Sequence, residues 1–198
     1  MPKIINKEEK KNFICDEAYK IFVDIGIDEF SLNKFIIEIN MSKGQFYHYF
    51  STKEDLVYQV MSKKTFELIY HTIEECKKQE NFMDKLNLIF AVYLNDAKYY
   101  RDLRKLYRDT LYIYMISNNQ EIKNFNNIVY KNIFDMLEQL FEEEIQKGNF
   151  QTDSSNLAKS ICATADGMFI QSLMITHYDL KTQLSNYFLE IEKLLRRN

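Results

Sequence analysis

An all-α fold is the expectation for this chain, and three observations carry it. The only proline is Pro2, so nothing downstream forbids long helices. The glycines are few, Gly26, Gly44, Gly148 and Gly167. Apolar residues recur three and four positions apart through most of the 198-residue length. With 46% hydrophobic residues the chain can bury a substantial core, in one domain or two small ones. No uncharged run reaches the roughly 18 to 20 apolar residues that span a bilayer, and the N-terminus has no signal-peptide core. A cytoplasmic protein with no membrane partner is therefore expected.

Residues 7–25 read as a first helix, with Ile14, Ala18, Ile21, Phe22 and Ile25 on one face and Gly26 ending it. Ser31 opens a second over residues 31–38, whose apolar face is Leu32, Phe35, Ile36 and Ile39. After the connector Ile39-Asn40-Met41, Ser42 caps a short third helix. Its Phe46, Tyr49 and Phe50 can face a core, which leaves Lys43, Gly44, Gln45, Tyr47 and His48 for a partner. Two short helices so spaced have helix-turn-helix form, and the outward set can hydrogen-bond phosphates and base edges. Gly44 points the same way. Glycine within a helix costs about 0.8 to 1 kcal/mol relative to alanine, which an ordinary bundle has no reason to bear and close approach of backbone to phosphate does.

Thr52 caps a long helix reaching about residue 77, carrying Leu56, Val60, Phe66, Ile69, Tyr70 and Ile73, and placed as the link to the rest of the chain. Residues 83–98, 100–117 and 120–147 also read as helices, the last stopped by Gly148. Asp153 or Ser154 caps the next, whose Leu157, Ala158, Ile161, Ala165, Met168, Phe169, Leu173 and Ile175 leave little polar face, so it must be buried on two sides. Residues 181–197 form a last helix with the stripe Leu184, Phe188, Ile191 and Leu195. Two such neighbouring helices suggest a four-helix bundle made with a second copy, with Gly167, Met168, Ile175, Leu184, Phe188, Ile191 and Leu195 at the interface. About nine helices result: a three-helix DNA-binding domain over residues 1–52, and a helical bundle for ligand binding and dimerisation over residues 53–198.

The net charge of −3 argues against indiscriminate coating of nucleic acid, not against a local patch. Around the proposed reader Lys43, Lys53, Lys63 and Lys64 outnumber Glu54 and Asp55. The first arginine is Arg101, so contacts to DNA must use Lys, Gln, Tyr, Ser, Thr and backbone N–H groups. Lys53 sits near a helix start, where the dipole disfavours a cation, and a phosphate would relieve that. Cys15, Cys76 and Cys162 are scattered and odd in number, as reduced thiols acting as small apolar groups would be.

These residues resemble the TetR family of bacterial transcriptional regulators. Ile14, Ala18, Phe22 and Gly26 fill the first part of that family's N-terminal pattern, and Ser42, Gly44, Phe46, Tyr47, Tyr49, Phe50, Lys53 and Leu56 fill the second. Asn40 stands where the family has its turn glycine, a position Asn tolerates because it visits the left-handed region readily. Ile36 replaces a small alanine midway along the second helix, which changes how the two short helices pack. Less specifically, Gly148, Phe150, Asp153, Leu157, Ala158 and Gly167 are similar to a pattern before and within the family's first dimerisation helix. The resemblance implies a homodimeric regulator, a repressor released by a small molecule, on a pseudopalindromic double-stranded operator. Ser31, Ser42, Lys43, Gly44, Tyr47, His48 and Lys53 would hold the backbone, and Gln45 would read a base, its amide matching adenine N6 and N7.

Tyrosines are dense between residues 93 and 114. They suit a pocket for a hydrophobic or aromatic ligand, with Tyr93, Tyr107, Phe125 and Phe169 as walls and Asp96 or Asp109 available to a cation. They suit a half-buried bundle equally well. Glu67, His71 and Glu75 share a helical face, but a di-metal bundle needs Glu-x-x-His pairs on two helices, so no metal or cofactor is expected. No H-E-x-x-H, G-x-S-x-G, Walker or G-x-G-x-x-G motif appears, which leaves nucleophilic, hydrolytic-metal and nucleotide-dependent chemistry without support. A DNA-binding dimer with no small-molecule response is the first alternative, and a helical-bundle enzyme or ligand carrier the second.

Overall fold

The structure, a computed structural model, describes residues 7–116, 118–151 and 154–196. Pro2, Ser117 and Arg197, and the cap expected from Asp153, lie outside the described residues. The helices are α1 (Lys7–Ile25), α2 (Leu32–Glu38), α3 (Lys43–Tyr47), α4 (Lys53–Cys76), α5 (Phe82–Ile89), α6 (Ala91–Leu94), α7 (Lys98–Ile116), α8 (Gln120–Gln146), α9 (Ala158–Met174) and α10 (Leu180–Leu195), and a 3-10 turn (Ser154–Leu157) leads into α9.

The helix ends show why the chain turns where it does. Gly26 closes α1 with φ +89 and a 3.0 Å bond from its N–H to the Phe22 carbonyl. Asn40 takes φ +53, its N–H bonds the Ile37 carbonyl and the Met41 N–H bonds that of Ile36, each at 3.0 Å. That is a Schellman end with asparagine in the left-handed position glycine usually takes. Gly148 ends α8 likewise at φ +79.

The single helix expected over residues 83–98 is two. Phe90 leaves helical geometry at φ −101, ψ 19, and its buried ring lies 5.0 Å from that of Phe188. Asn95 is extended, and its side chain accepts the Ala97 N–H at 2.9 Å, an alternative to the helical bond that ends α6 and turns the chain into α7.

Two compact units result, one of residues up to Glu67 with Asp102–Phe125, the other of Leu68–Arg101 with residues from Asn126 onward. The first holds a core in which Ile14, Ala18, Phe22, Phe35, Phe46, Phe50, Leu56 and Leu106 are buried. The expected boundary at residue 52 falls inside this unit. In the second unit Phe82 packs edge-on against Phe141 and Phe150, and α10 packs on α5, α6 and α9.

Within the first unit Asp16 of α1 accepts from Lys63 at 2.6 Å and Lys64 at 3.1 Å, both on α4. Burial raises the Asp16 carboxyl's pKa, but the two ammonium groups outweigh it and leave it below the ordinary value. Its folded pKa therefore lies below its unfolded one, so the clamp adds stability at neutral pH that is lost as pH falls through the folded value. Asp16→Asn should cost about 1 kcal/mol at pH 7, the scale of partly exposed pairs. Melting followed by circular dichroism should show the gap to wild type closing in acid, and a gap constant with pH would mean that the charge is not what ties α1 to α4.

One expectation about the C-terminal helices is corrected. Leu184, Phe188 and Leu195 are buried within the chain itself, at 0%, 0% and 8% exposure, because α10 turns that stripe onto α5, α6 and α9. They are core rather than a face awaiting a second copy. On α9 the buried residues Ala158, Ile161, Cys162, Ala165 and Phe169 share one face. At 100° per residue Gly167 and Met174 lie on the opposite face, while Met168 falls on the flank beside Ile161, and Met174 is 72% exposed.

Candidate nucleic-acid interface

Five residues make a helix too short to hold itself together, so α3 is stable only through its cap and its packing. Ser42 and Gln45 form a reciprocal capping box: the Gln45 N–H donates to Ser42 Oγ at 3.2 Å, and the Ser42 N–H donates to Gln45 Oε1 at 2.8 Å. Below them Phe46 is fully buried and stacks on Phe50, ring centroids 5.4 Å apart. The opposite side presents Lys43, Gly44, Gln45, Tyr47 and His48, all exposed.

Nothing in the folded chain requires glycine at position 44. Its φ is not positive, and a Cβ built there meets no atom within 4 Å. The helix-propensity penalty therefore has no internal compensation.

The other predicted contacts differ in how far their groups are already committed. Ser31 stands at the N-cap of α2, yet its exposed hydroxyl makes no capping bond. Lys53 donates to the Phe30 carbonyl at 3.0 Å and lies 5.7 Å from the Phe30 ring, so an internal carbonyl already offsets the unfavourable charge at the start of α4. An ammonium has three donors, and this bond uses one. Lys63 and Lys64 do not belong to the positive patch, because Asp16 and Glu67 neutralise them. Gln45 has its carbonyl oxygen in the capping box, so two-point recognition of adenine requires that oxygen to leave the Ser42 N–H.

Of the four proposed ligand walls, Tyr93 and Phe169 meet, their rings stacked 5.1 Å apart in the second unit. Tyr107 and Phe125 belong to the first, where Phe125 packs against Tyr58, Phe66 and Tyr114. The carboxylates proposed for a cation are engaged, Asp96 by Lys181 at 2.8 Å and Asp109 by Arg108 at 2.8 Å. A different one, Asp166, is missed by sequence reasoning. It accepts from the Tyr93 and Tyr130 hydroxyls, each at 2.8 Å. The signal was the lone carboxylate of α9, three residues before Phe169.

Of the remaining candidates, Glu67 is paired with Lys64, and no group of three metal-ligating side chains occurs among the described residues. Burial pushes the Cys15 thiol up to about 11, as expected of a small core residue. No helix among the described residues is long and apolar enough to cross a membrane.

Residues 14–60 match the family described as bacterial regulatory proteins, tetR family. Over 93% of its length the chain is 22% identical to an HTH-type transcriptional regulator of Staphylococcus aureus, covering 96% of that protein. It is 23% identical to the fatty acid metabolism regulator protein of Bacillus subtilis, over 93% of this chain and 94% of that one. Among solved structures, the regulator FadR of Bacillus subtilis in complex with stearoyl-CoA superposes with a TM-score of 0.61 at 21% identity, over 90% of this chain and 95% of that one. A chain from Saccharomonospora viridis described as a transcriptional regulator, in complex with choline, reaches 0.79 at 16% identity, over 96% and 100%.

Proposed function

Because the chain belongs to the TetR family of bacterial transcriptional regulators, we propose that it is a homodimeric cytoplasmic repressor whose paired α3 helices enter successive major grooves of a pseudopalindromic operator. The half-sites lie about 34 to 36 Å apart or somewhat more. The observation that carries this is Gly44: an exposed helical glycine with nothing near its missing Cβ, on a face of hydrogen-bonding side chains, fits a backbone pressed against phosphate. Lys43, Tyr47, His48, Ser31 and Ser42 hold phosphates. Lys53 joins them with the donors its bond to Phe30 leaves over. Gln45 reads a base through its amide N–H₂, or through both groups once its oxygen leaves the capping box.

Residues 1–52 supply the reader, and residues 53–198 the ligand and dimer functions. Two proteins of this fold hold small molecules, stearoyl-CoA in one and choline in the other, which supports a ligand response here. Tyr93 and Phe169 are the aromatic wall of that site. A ligand releases DNA only to the extent that it prefers the conformation in which the readers are wrongly spaced. The dimer forms through the outer face of α9 at Gly167 and Met174, with Met168 and Ile175 beside it, together with the flank of α10 at Ile191.

Salt dependence tests the DNA contacts. Lys43→Ala should weaken binding to a selected operator and lower the slope of log affinity against log salt by about one unit. Lys64→Ala, which removes a cation already held by Asp16 and Glu67, should leave the slope unchanged. Equal slopes for wild type and Lys43→Ala would take α3 out of the DNA.

A further inference from the structure

We propose that Asp166, with the aromatic rings around it, is the seat of an organic cation, so that the effector of this regulator carries an ammonium group. The proposal rests on the ligand response proposed above and gives that ligand its charge.

Asp166 lies on α9, Tyr93 on α6 and Tyr130 on α8, all in the second compact unit. Each carboxylate oxygen accepts one phenol hydroxyl at 2.8 Å, Oδ1 from Tyr93 and Oδ2 from Tyr130. No Lys, Arg or His pairs with Asp166 among the described residues. Neutral donors alone do not offset the cost of withdrawing a carboxylate from water, and burial accordingly raises its pKa despite both phenols. A structural tie between two tyrosines does not need the charge, since an asparagine of the same size can accept one hydroxyl and donate to the other. A negative charge with unused lone pairs and no cation among the described residues beside it instead calls for one from outside.

The surroundings suit one. Tyr93 stacks on Phe169, and Tyr130 lies 5.9 Å from Phe134, so aromatic rings border the carboxylate on α6, α8 and α9. Rings of this kind attract ammonium groups through their faces, by about 0.5 to 2 kcal/mol each. The Phe134 ring already draws the exposed Lys159, whose Nζ lies 5.7 Å from the centroid. Asp166 is only partly buried, so the site is not sealed.

The test compares two probes of one shape, benzyltrimethylammonium and its uncharged isostere neopentylbenzene, titrated into the full-length protein by calorimetry, with melting as a second readout. The cation should bind at least about tenfold more tightly than the isostere, a difference of about 1.4 kcal/mol. Asp166→Asn should remove that preference while leaving affinity for neopentylbenzene unchanged. Tyr130→Phe, which keeps the ring, guards against a variant that fails to fold and should weaken the cation several-fold. Equal binding of the two probes, a preference that survives in Asp166→Asn, or no binding of the cation at several millimolar would overturn the proposal. Operator affinity is followed in parallel. Cation binding through Asp166 that leaves DNA affinity unchanged upholds the site and removes the ligand response, whereas release of DNA by the neutral probe without Asp166 upholds the response and removes the cation.

Discussion

Phe46→Ala should lower the stability of the DNA-binding unit by about 3 to 5 kcal/mol, as large aromatic truncations in cores do. Phe46 is the only buried residue of α3 and has no exposed surface. Its ring stacks on Phe50 and meets Tyr47 edge-on at 5.7 Å. A five-residue helix cannot survive on its capping box alone, since helices this short do not nucleate in water. Against a total of about 5 to 15 kcal/mol for a typical domain, such a loss leaves the reader partly unfolded at 37 °C and abolishes specific binding to DNA. Tyr47→Ala should act in the opposite sense. Its side chain is 51% exposed, so stability should change little while operator affinity falls. Urea denaturation and operator titration of the two variants separate the roles. A Phe46→Ala protein within about 1 kcal/mol of wild type would show that α3 is held by something other than this ring.

The contrast between these neighbours explains which features were readable in the sequence. Apolar spacing located α1 to its end residues, and the positive φ of Asn40 follows from its chemistry and its place between two helices. The Ser42 cap was equally legible, because Ser42 and Gln45 lie three apart and the box is local. Long-range pairings were not. Lys63 and Lys64 read as free charge because Asp16 stands 47 and 48 positions away, and Lys53 read as free because the Phe30 carbonyl, 23 positions back, is a backbone group that no side-chain pattern announces. The aromatic set chosen from composition divided between two units for the same reason: spacing gives a residue its face, not the element opposite. Phe188 shows that limit most clearly. Its stripe was recognised, but whether a partner chain or α5, α6 and α9 would cover it was a question of tertiary placement.

Because that stripe is occupied, substitutions elsewhere should break the proposed dimer. Met174 on α9 and Leu194 on α10 are each 72% exposed, large and apolar. Met174 shares the face of Gly167, opposite the buried side of α9, and Leu194 flanks Ile191 beside the buried stripe of α10. A Cβ at Gly167 meets nothing within 4 Å, which leaves room there for the close approach of a second helix. Met174→Glu with Leu194→Glu should leave the single chain nearly as stable as before, since exposed side chains away from caps and core usually change stability by about 0.5 kcal/mol or less. In the dimer the same carboxylates are buried without partners, each costing several kcal/mol. Sedimentation at micromolar concentration should therefore show monomer. Operator affinity should fall by more than about 100-fold, because two linked half-sites lose the second, effectively intramolecular, binding step. Phe188→Ala is the control: it opens a core cavity, so the second unit should melt early instead of parting cleanly from its copy. A double variant that stays dimeric and binds its operator as wild type does would move the interface away from the outer face of α9 and the flank of α10.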